Sequence, residues 1–253
     1  MKCAKLCVTC QNYSKERSHR LLSMPSSDLL PYIFSNTRLP LAVQFSQWVQ
    51  ASPRFRAFAF AYRDKIRKKV RGVTEAEGYL DLRAELATAF FLTQERRFLV
   101  EYETYGVGKQ RGPDFSVTYK THTRFDVEVT RLRGLSGTHA GASSEAGKLA
   151  NTLCVKLKQL PPSMINILFL VADDALYSED DLSNALRLLA ERAEHKDDEF
   201  FTRRGFLGVR DFHRHYSRLS AIRIVTADAP PLLRLLPQAR HPLPPDLANL
   251  LRR

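Results

Sequence analysis

Two neighbouring segments in the middle of the chain alternate between apolar and polar residues, as strands with a buried face do. In RFDVEVTRL, residues 124–132, the first apolar residues are odd-numbered, and the acids Asp126 and Glu128 are even-numbered. In GPDFSVTY, residues 112–119, the apolar residues are again odd-numbered, and Asp114 belongs to the even-numbered set. The pattern predicts two strands, each with an apolar side for the core and a polar side that carries an acid.

The remaining elements follow from periodicity and from helix and strand boundary signals. A period near 3.6 predicts helices, and short apolar runs bounded by turn residues predict strands. The predicted helices cover about residues 41–50, 55–70, 74–94, 145–160 and 178–194, and further strands cover 97–106, 165–171 and 219–227. This order predicts an α/β fold with a small mixed central sheet that is flanked by helices.

Three regions are expected along the chain. Residues 1–52 form an accessory, partly disordered lead-in, and residues 53–228 form the α/β domain. Residues 229–253 form a proline-rich C-terminal segment that we expect to pack irregularly.

Charge and hydropathy narrow the class of protein. Lys and Arg number 39 against 27 Asp and Glu, for a net charge of +12. Such a balance suits a polyanionic partner, although a solvated basic surface gives the same composition. The longest apolar run, Met164 to Ala172, is far shorter than the roughly 20 residues of a membrane span. Without a span or a signal-peptide core, we expect no membrane association and a cytoplasmic location.

The N-terminal cysteines suggest two metal sites and a simpler alternative. Cys3, Cys7 and Cys10 have the Cys-x3-Cys-x2-Cys spacing that resembles the cluster loop of radical S-adenosylmethionine enzymes, and His19 offers a fourth ligand for zinc. The loop precedes any predicted strand, whereas those enzymes place it after the first strand of a barrel. We therefore favour a disordered leader, with Met24 as an alternative natural start. The fourth cysteine is Cys154.

A one-signed run of charge lies on the polar faces of the helix predicted near residues 55–70. Asp64 is its only acid, and its basic residues are Arg54, Arg56, Arg63, Lys65, Arg67, Lys68, Lys69 and Arg71. The run indicates either a solvated face or a helix that follows a phosphate backbone.

The acids of the two alternating strands define the candidate chemistry. If the strands pair through the turn at residues 120–124, Asp114 and Glu128 converge. Carboxylates that lie close together repel, and an Arg or a divalent metal relieves the repulsion. On the preceding helix, Glu85 lies at the margin of the buried face, where it either pairs with a neighbour such as Arg83 or joins a site.

The order of these features resembles the PD-(D/E)XK nuclease superfamily, which has the restriction-endonuclease-like fold. The shared features are a helix with Glu85, the "PD" of Pro113 and Asp114 opening the second strand, and Glu128 on the third. The resemblance implies that Asp114 and Glu128 bind Mg²⁺ or Mn²⁺ and that Glu85 assists as a third acid.

One position departs from that motif. The family places a Lys two residues after the strand acid, and here Thr130 occupies this position. A hydroxyl can hold a water molecule but carries no charge. Some members take the Lys from the next helix, where Lys156 and Lys148 lie on one stripe. Each is either a replacement for the motif Lys or an ordinary surface Lys.

His213 and His215 are weaker candidates. Their i, i+2 spacing suits one face of a strand that binds metal, but no Cys or acid stands at a known ligand spacing from them. Basic surface or phosphate contact is the favoured interpretation.

These features predict a metal-dependent nuclease that hydrolyses phosphodiester bonds, with Asp114, Glu128, Thr130, Glu85 and Lys156 as its site residues. We expect nucleic acid as the partner, with DNA favoured over RNA, and allow for a homodimer. The alternative is a catalytically inactive nucleic-acid-binding or interaction module that keeps the nuclease-like fold.

Overall fold

The computed structural model describes residues 26–104, 112–133, 145–172, 178–226 and 229–253. The chain divides into two compact units, Met1–Gln94 and Glu95–Arg253. This division differs from the predicted boundaries, which lie after residues 52 and 228.

The described part of the first unit is helical. Its helices are α1 (Ser26–Ile33), α2 (Pro40–Ala51), α3 (Pro53–Ala61), α4 (Arg63–Gly72) and α5 (Ala76–Gln94). Proline occupies the first position of α2 and α3, where the missing N–H costs no helical hydrogen bond, and the Ser52 side chain accepts from Phe55 N.

An aromatic core holds these helices together. Phe45 packs edge-on against Phe34 and Phe55, with ring centroids 5.4 and 5.5 Å apart, and Trp48 stacks on Phe90 of α5 at 5.7 Å. Phe45 and Phe55 are fully buried. The predicted lead-in, in which one helix was expected near residues 41–50, thus contains two helices with core residues, because Leu29, Ile33, Phe45 and Val49 fall on their inner faces.

The single helix predicted near residues 55–70 is two helices. Tyr62 separates α3 from α4, with φ −109° and ψ 16°. The apolar spacing predicted one helix because the break does not change the buried side, and Phe58, Ile66 and Val70 remain inside.

The second unit is built on a six-stranded mixed sheet. Its strands are β1 (Phe98–Tyr102), β2 (Phe115–Tyr119), β3 (Thr123–Leu132), β4 (Ile165–Ala172), β5 (Leu219–Val225) and β6 (Leu232–Leu235). The strands lie in sequence order. The β3–β4 and β4–β5 pairs are parallel, and the other three pairs are antiparallel. The predicted α/β class with a mixed sheet is therefore confirmed.

Helices cover this sheet. They are α6 (Glu145–Leu157), α7 (Glu179–Glu194), α8 (Asp198–Thr202), α9 (Val209–Tyr216) and α10 (Pro245–Leu251). Leu168 and Leu170 of β4 and Ile222 of β5 form one buried cluster with residues of α6, α7 and α9. A capping box opens α7, because Ser178 Oγ accepts from Asp181 N and the Asp181 carboxylate accepts from Ser178 N.

The C-terminal segment packs regularly, contrary to the prediction. It adds β6 to the edge of β5 and ends in α10, whose Leu247 and Leu251 are buried. Two contacts join α10 to the sheet face that does not carry Leu168 and Leu170. Tyr119 Oη donates to Asp246 at 2.9 Å, and Arg223 Nε donates to the Leu251 carbonyl at 2.8 Å. Its prolines fall before the helix and at its first turn, where they are tolerated.

Candidate active site

Asp114 is held at the start of β2 by backbone contacts on both sides. Its Oδ2 accepts a hydrogen bond from Val129 N of β3 at 2.7 Å, and its carbonyl accepts from Glu103 N at 2.9 Å. The Val129 contact fixes the orientation of the carboxylate. Asp114 therefore contacts β3 one residue after Glu128, and the convergence of the two carboxylates stays a prediction.

Glu128 is buried in the middle of β3 and is paired with a lysine. Its side chain is 6% exposed, and Oε1 accepts from Lys156 Nζ at 2.7 Å. Lys156 lies in the last turn of α6, and its side chain is 19% exposed. The chain thus brings an ammonium group to the strand acid from the next helix, and the role of Lys156 as a replacement for the motif Lys stays a prediction.

Thr130 lies two residues after Glu128 on β3, half-buried and opposite Leu170 of β4. Because side chains alternate along a strand, Thr130 shares the face of Glu128. The position of the missing motif Lys therefore holds a neutral hydroxyl, and the cation beside Glu128 comes from α6.

Asp126 lies on the same face of β3 as Glu128, and the sequence did not predict that it is buried. It is 1% exposed, lies opposite Ser116 of β2, and accepts from Ser116 Oγ at 2.6 Å. Ser116 Oγ is also hydrogen-bonded to Thr104 Oγ1 at 2.8 Å. Burial raises the pKa of Asp126, and the Ser116 hydrogen bond opposes that shift. The alternation placed Asp126 beside Glu128 but could not indicate that α6 and its neighbours cover this polar face.

Asn166 of β4 continues this polar row. It lies opposite Asp126, is fully buried, and donates through Nδ2 to the carbonyls of Pro161, Met164 and Arg218 at 2.9 to 3.1 Å. Among the described residues, neither Asp126 Oδ2 nor Asn166 Oδ1 has a hydrogen-bond partner.

Glu85 lies on α5 in the first unit, where it forms an ion pair with Lys69 of α4. Arg83, the expected local partner, instead donates through Nε to Gln44 Oε1 at 2.7 Å. The assignment of Glu85 as a metal-assisting acid stays a prediction.

The metal prediction can be compared with the ligands available. Within the part of the chain that the structure describes, no three His, Cys, Asp or Glu side chains are grouped to hold one ion. Asp114 and Glu128 still fit Mg²⁺ or Mn²⁺ by their chemistry, because Mg²⁺ is often bound by one or two carboxylates together with waters and substrate phosphates. A carboxylate has about four lone-pair positions, so Glu128 can accept from Lys156 and still offer an oxygen.

His213 and His215 do not lie on a strand. Both belong to α9, where His215 Nδ1 lies 2.9 Å from the Asp211 carbonyl and 3.4 Å from the Asp211 carboxylate. The hydrogen bond from the Leu207 backbone N–H lowers the pKa of Asp211, and the hydrogen bond from Arg214 lowers it further. The disfavoured alternative of a metal-binding strand was wrong, because the local sequence is helical in its apolar spacing, with Phe212 and Tyr216 one turn apart on the inner side.

The basic run contains both half-buried and exposed cations. Arg63 stacks on Phe60 and Arg67 on Tyr32, with the guanidinium carbon 4.5 and 4.2 Å from the ring centroid, and Lys69 pairs with Glu85. The exposed basic residues on α3 and α4 are Arg54, Arg56, Lys65, Lys68 and Arg71. We call the last three of these, all on α4, the α4 basic face.

Of the four cysteines, Cys154 belongs to the described residues and the three N-terminal ones do not. Cys3, Cys7, Cys10 and His19 lie outside the described residues. Cys154 is a free thiol that is fully buried in α6, and burial raises its pKa to about 11. A thiol that stays protonated is a poor metal ligand and a poor nucleophile.

Comparisons with protein-family models, with curated proteins and with solved structures find no match to this chain. None of the described helices is both long and apolar enough to cross a membrane.

Proposed function

We propose that this protein is a metal-dependent nuclease of the PD-(D/E)XK kind that hydrolyses phosphodiester bonds in nucleic acids. The observation that carries the proposal is the 2.7 Å contact between Lys156 Nζ and Glu128 Oε1. This chain lacks the lysine of the family's third-strand motif, and Lys156 of the next helix would take its place beside Glu128.

Asp114 and Glu128 would hold the metal. Bound there, Mg²⁺ or Mn²⁺ would polarise the scissile phosphate and lower the pKa of a bound water. The Val129 N–H orients Asp114, so this ligand is positioned before any substrate arrives. A preset geometry favours catalysis, because less reorganisation is required as charge develops.

Lys156 would act on the attacking water. Its ammonium group is fixed by Glu128 and can donate to a second oxygen, since an ammonium has three donors. The positive charge also favours the approach of a phosphate. Thr130, on the same face of β3, would hold a water through its hydroxyl.

The α4 basic face would bind the phosphate backbone. Lys65, Lys68 and Arg71 are exposed, and such contacts release counterions and favour binding without regard to sequence. DNA is favoured over RNA as the substrate.

The proposal is tested with wild-type protein, Asp114→Ala and Asp180→Ala, an exposed acid on α7 that serves as the matched control. Single- and double-stranded DNA and RNA are incubated with each protein in Mg²⁺ or Mn²⁺, and binding is measured separately by fluorescence anisotropy in EDTA. We expect cleavage by wild type and Asp180→Ala, no cleavage by Asp114→Ala, and binding by all three. Wild-type protein that binds but cuts no substrate with either metal would instead indicate the inactive nucleic-acid-binding module.

A further inference from the structure

A mainly apolar groove with a few polar side chains lies within the first unit, between the start of α2 and the first turns of α5. Its volume is about 680 Å³. Small-molecule sites in proteins have volumes of roughly 300 to 1,000 Å³ and are lined mainly by apolar and aromatic side chains with a few polar groups. The groove matches that description in size and in lining.

The apolar lining comes from both helices and from the residues before α2. Leu39, Pro40 and Val43 contribute one side, and Tyr79 and Leu80 contribute the other. Val43 is 48% exposed although it is a β-branched apolar residue near the start of α2, where Leu41, Ala42 and Phe45 are buried. The groove therefore exposes apolar surface to water, and a ligand with an apolar part would cover that surface.

Three polar side chains line the groove, Arg83, Gln44 and Gln47, and the first two contact each other. Arg83 Nε donates to Gln44 Oε1 at 2.7 Å, which fixes the guanidinium and the amide relative to each other. This bond engages one of the five N–H donors of the guanidinium and the oxygen of the amide, whose NH₂ group carries two further donors. No acidic residue is among the described residues that line the groove.

We propose that this groove binds a small apolar carboxylate, whose acid group is held by Arg83 and the Gln44 amide. The planar guanidinium donates two parallel hydrogen bonds to a carboxylate, which gives this pair its geometric specificity. The apolar part of the ligand lies between Val43 and Tyr79. This site is separate from the proposed nuclease function and does not depend on it, because none of its lining residues belongs to the proposed metal site or to the α4 basic face.

The test uses the full chain and decanoate as the probe, titrated calorimetrically below its micelle concentration. We expect saturable binding of one decanoate per chain. Arg83→Gln lowers the affinity about tenfold, because a charge-assisted pair is lost. Arg83→Lys keeps the charge without the planar fork and restores part of the affinity. Val43→Gln lowers the affinity about fivefold, because an apolar contact is lost.

Two matched variants serve as controls. Arg56→Gln removes an exposed arginine from α3, and Val155→Gln changes a valine that is 54% exposed on α6. Neither changes decanoate binding, and decyltrimethylammonium, which has the same chain and the opposite charge, binds at least tenfold more weakly. The absence of saturable decanoate binding would overturn the proposal. An equal loss in Arg56→Gln, or equal binding of the cationic amphiphile, would also overturn it.

Discussion

Lys156 Nζ and Glu128 Oε1 lie 2.7 Å apart, and this contact joins the last turn of α6 to the middle of β3. Both side chains are largely withdrawn from water. A buried ion pair contributes little net stability compared with an apolar pair, but removing one member leaves an uncompensated buried charge. The pair therefore ties the stability of the sheet to the residues proposed for catalysis.

The stability of the pair can be measured directly. Lys156→Met is expected to lower the free energy of unfolding by about 3 kcal/mol, because Glu128 is left buried without its cation. The double variant Lys156→Met, Glu128→Gln recovers most of that loss. Urea denaturation measures both, and Lys158→Met, at an exposed position on the same segment, changes the value by less than about 0.5 kcal/mol. A loss in the double variant as large as in the single one would contradict an ion pair.

The same lysine separates catalysis from binding. In the cleavage assay, Lys156→Arg keeps a cation beside Glu128, whereas Lys156→Met does not. We expect Lys156→Met to lower the cleavage rate by about a hundredfold, in the range of losses for positioned proton-transfer groups, with little change in affinity for nucleic acid. Lys156→Arg is expected to lie between wild type and Lys156→Met. An unchanged rate in folded Lys156→Met would show that Lys156 has no catalytic role.

The α4 basic face is tested by the salt dependence of binding. Lys68→Gln with Arg71→Gln removes two exposed cations from α4 and is expected to weaken nucleic-acid binding at low salt. Each lost phosphate contact flattens the slope of log affinity against log salt by about one unit. Arg252→Gln with Arg253→Gln removes the same charge from the exposed C-terminus, so it controls for net charge. An equal effect in that control would show that only overall charge matters.

Cys154 gives a pH dependence whose sign is fixed. Burial raises the pKa of its thiol from 9.0 to about 11, so the folded state favours the protonated form. This contribution to stability is fully present below about pH 9 and is lost as the pH rises towards 11, because the unfolded thiol ionises first. We expect the unfolding free energy of wild type to fall more steeply over this interval than that of Cys154→Ala. Parallel curves would contradict the shift.

Deletion of residues 1–24 tests the cysteine prediction. α1 begins at Ser26, so the deletion leaves every described helix and strand in place. We expect an unchanged melting temperature and unchanged nucleic-acid binding. Stoichiometric iron or zinc in the purified full chain that is lost on Cys7→Ser would contradict this prediction.

The alternation of residues predicted β2 and β3 well because those strands have one uninterrupted apolar side. The same pattern could not predict that the polar side would also be buried, because that depends on α6. Asp126 and Ser116, which are almost completely inaccessible, show the difference. The pairing of Lys156 with Glu128 depends on the direction in which α6 crosses the sheet, and helical spacing alone left Lys148 as an equal candidate.

Two other predictions failed for local reasons. The break at Tyr62 leaves the spacing of buried residues unchanged, so periodicity could not detect it. In the C-terminal segment, the prolines hid a strand and a helix, although Pro245 stands at a position where a helix accepts proline.

That C-terminal segment has a consequence for association between chains. β5 is buried along six of its seven residues, and one side of its backbone is hydrogen-bonded to β6. β6 is short, carries Arg234 and is partly exposed, which are properties that discourage a sheet from adding further strands. If β6 were cut off and lost, β5 would become the edge strand, a longer apolar strand whose backbone donors and acceptors on that side are unsatisfied. The final segment therefore covers the β5 edge of the sheet, and its loss would open that edge to pairing with another chain.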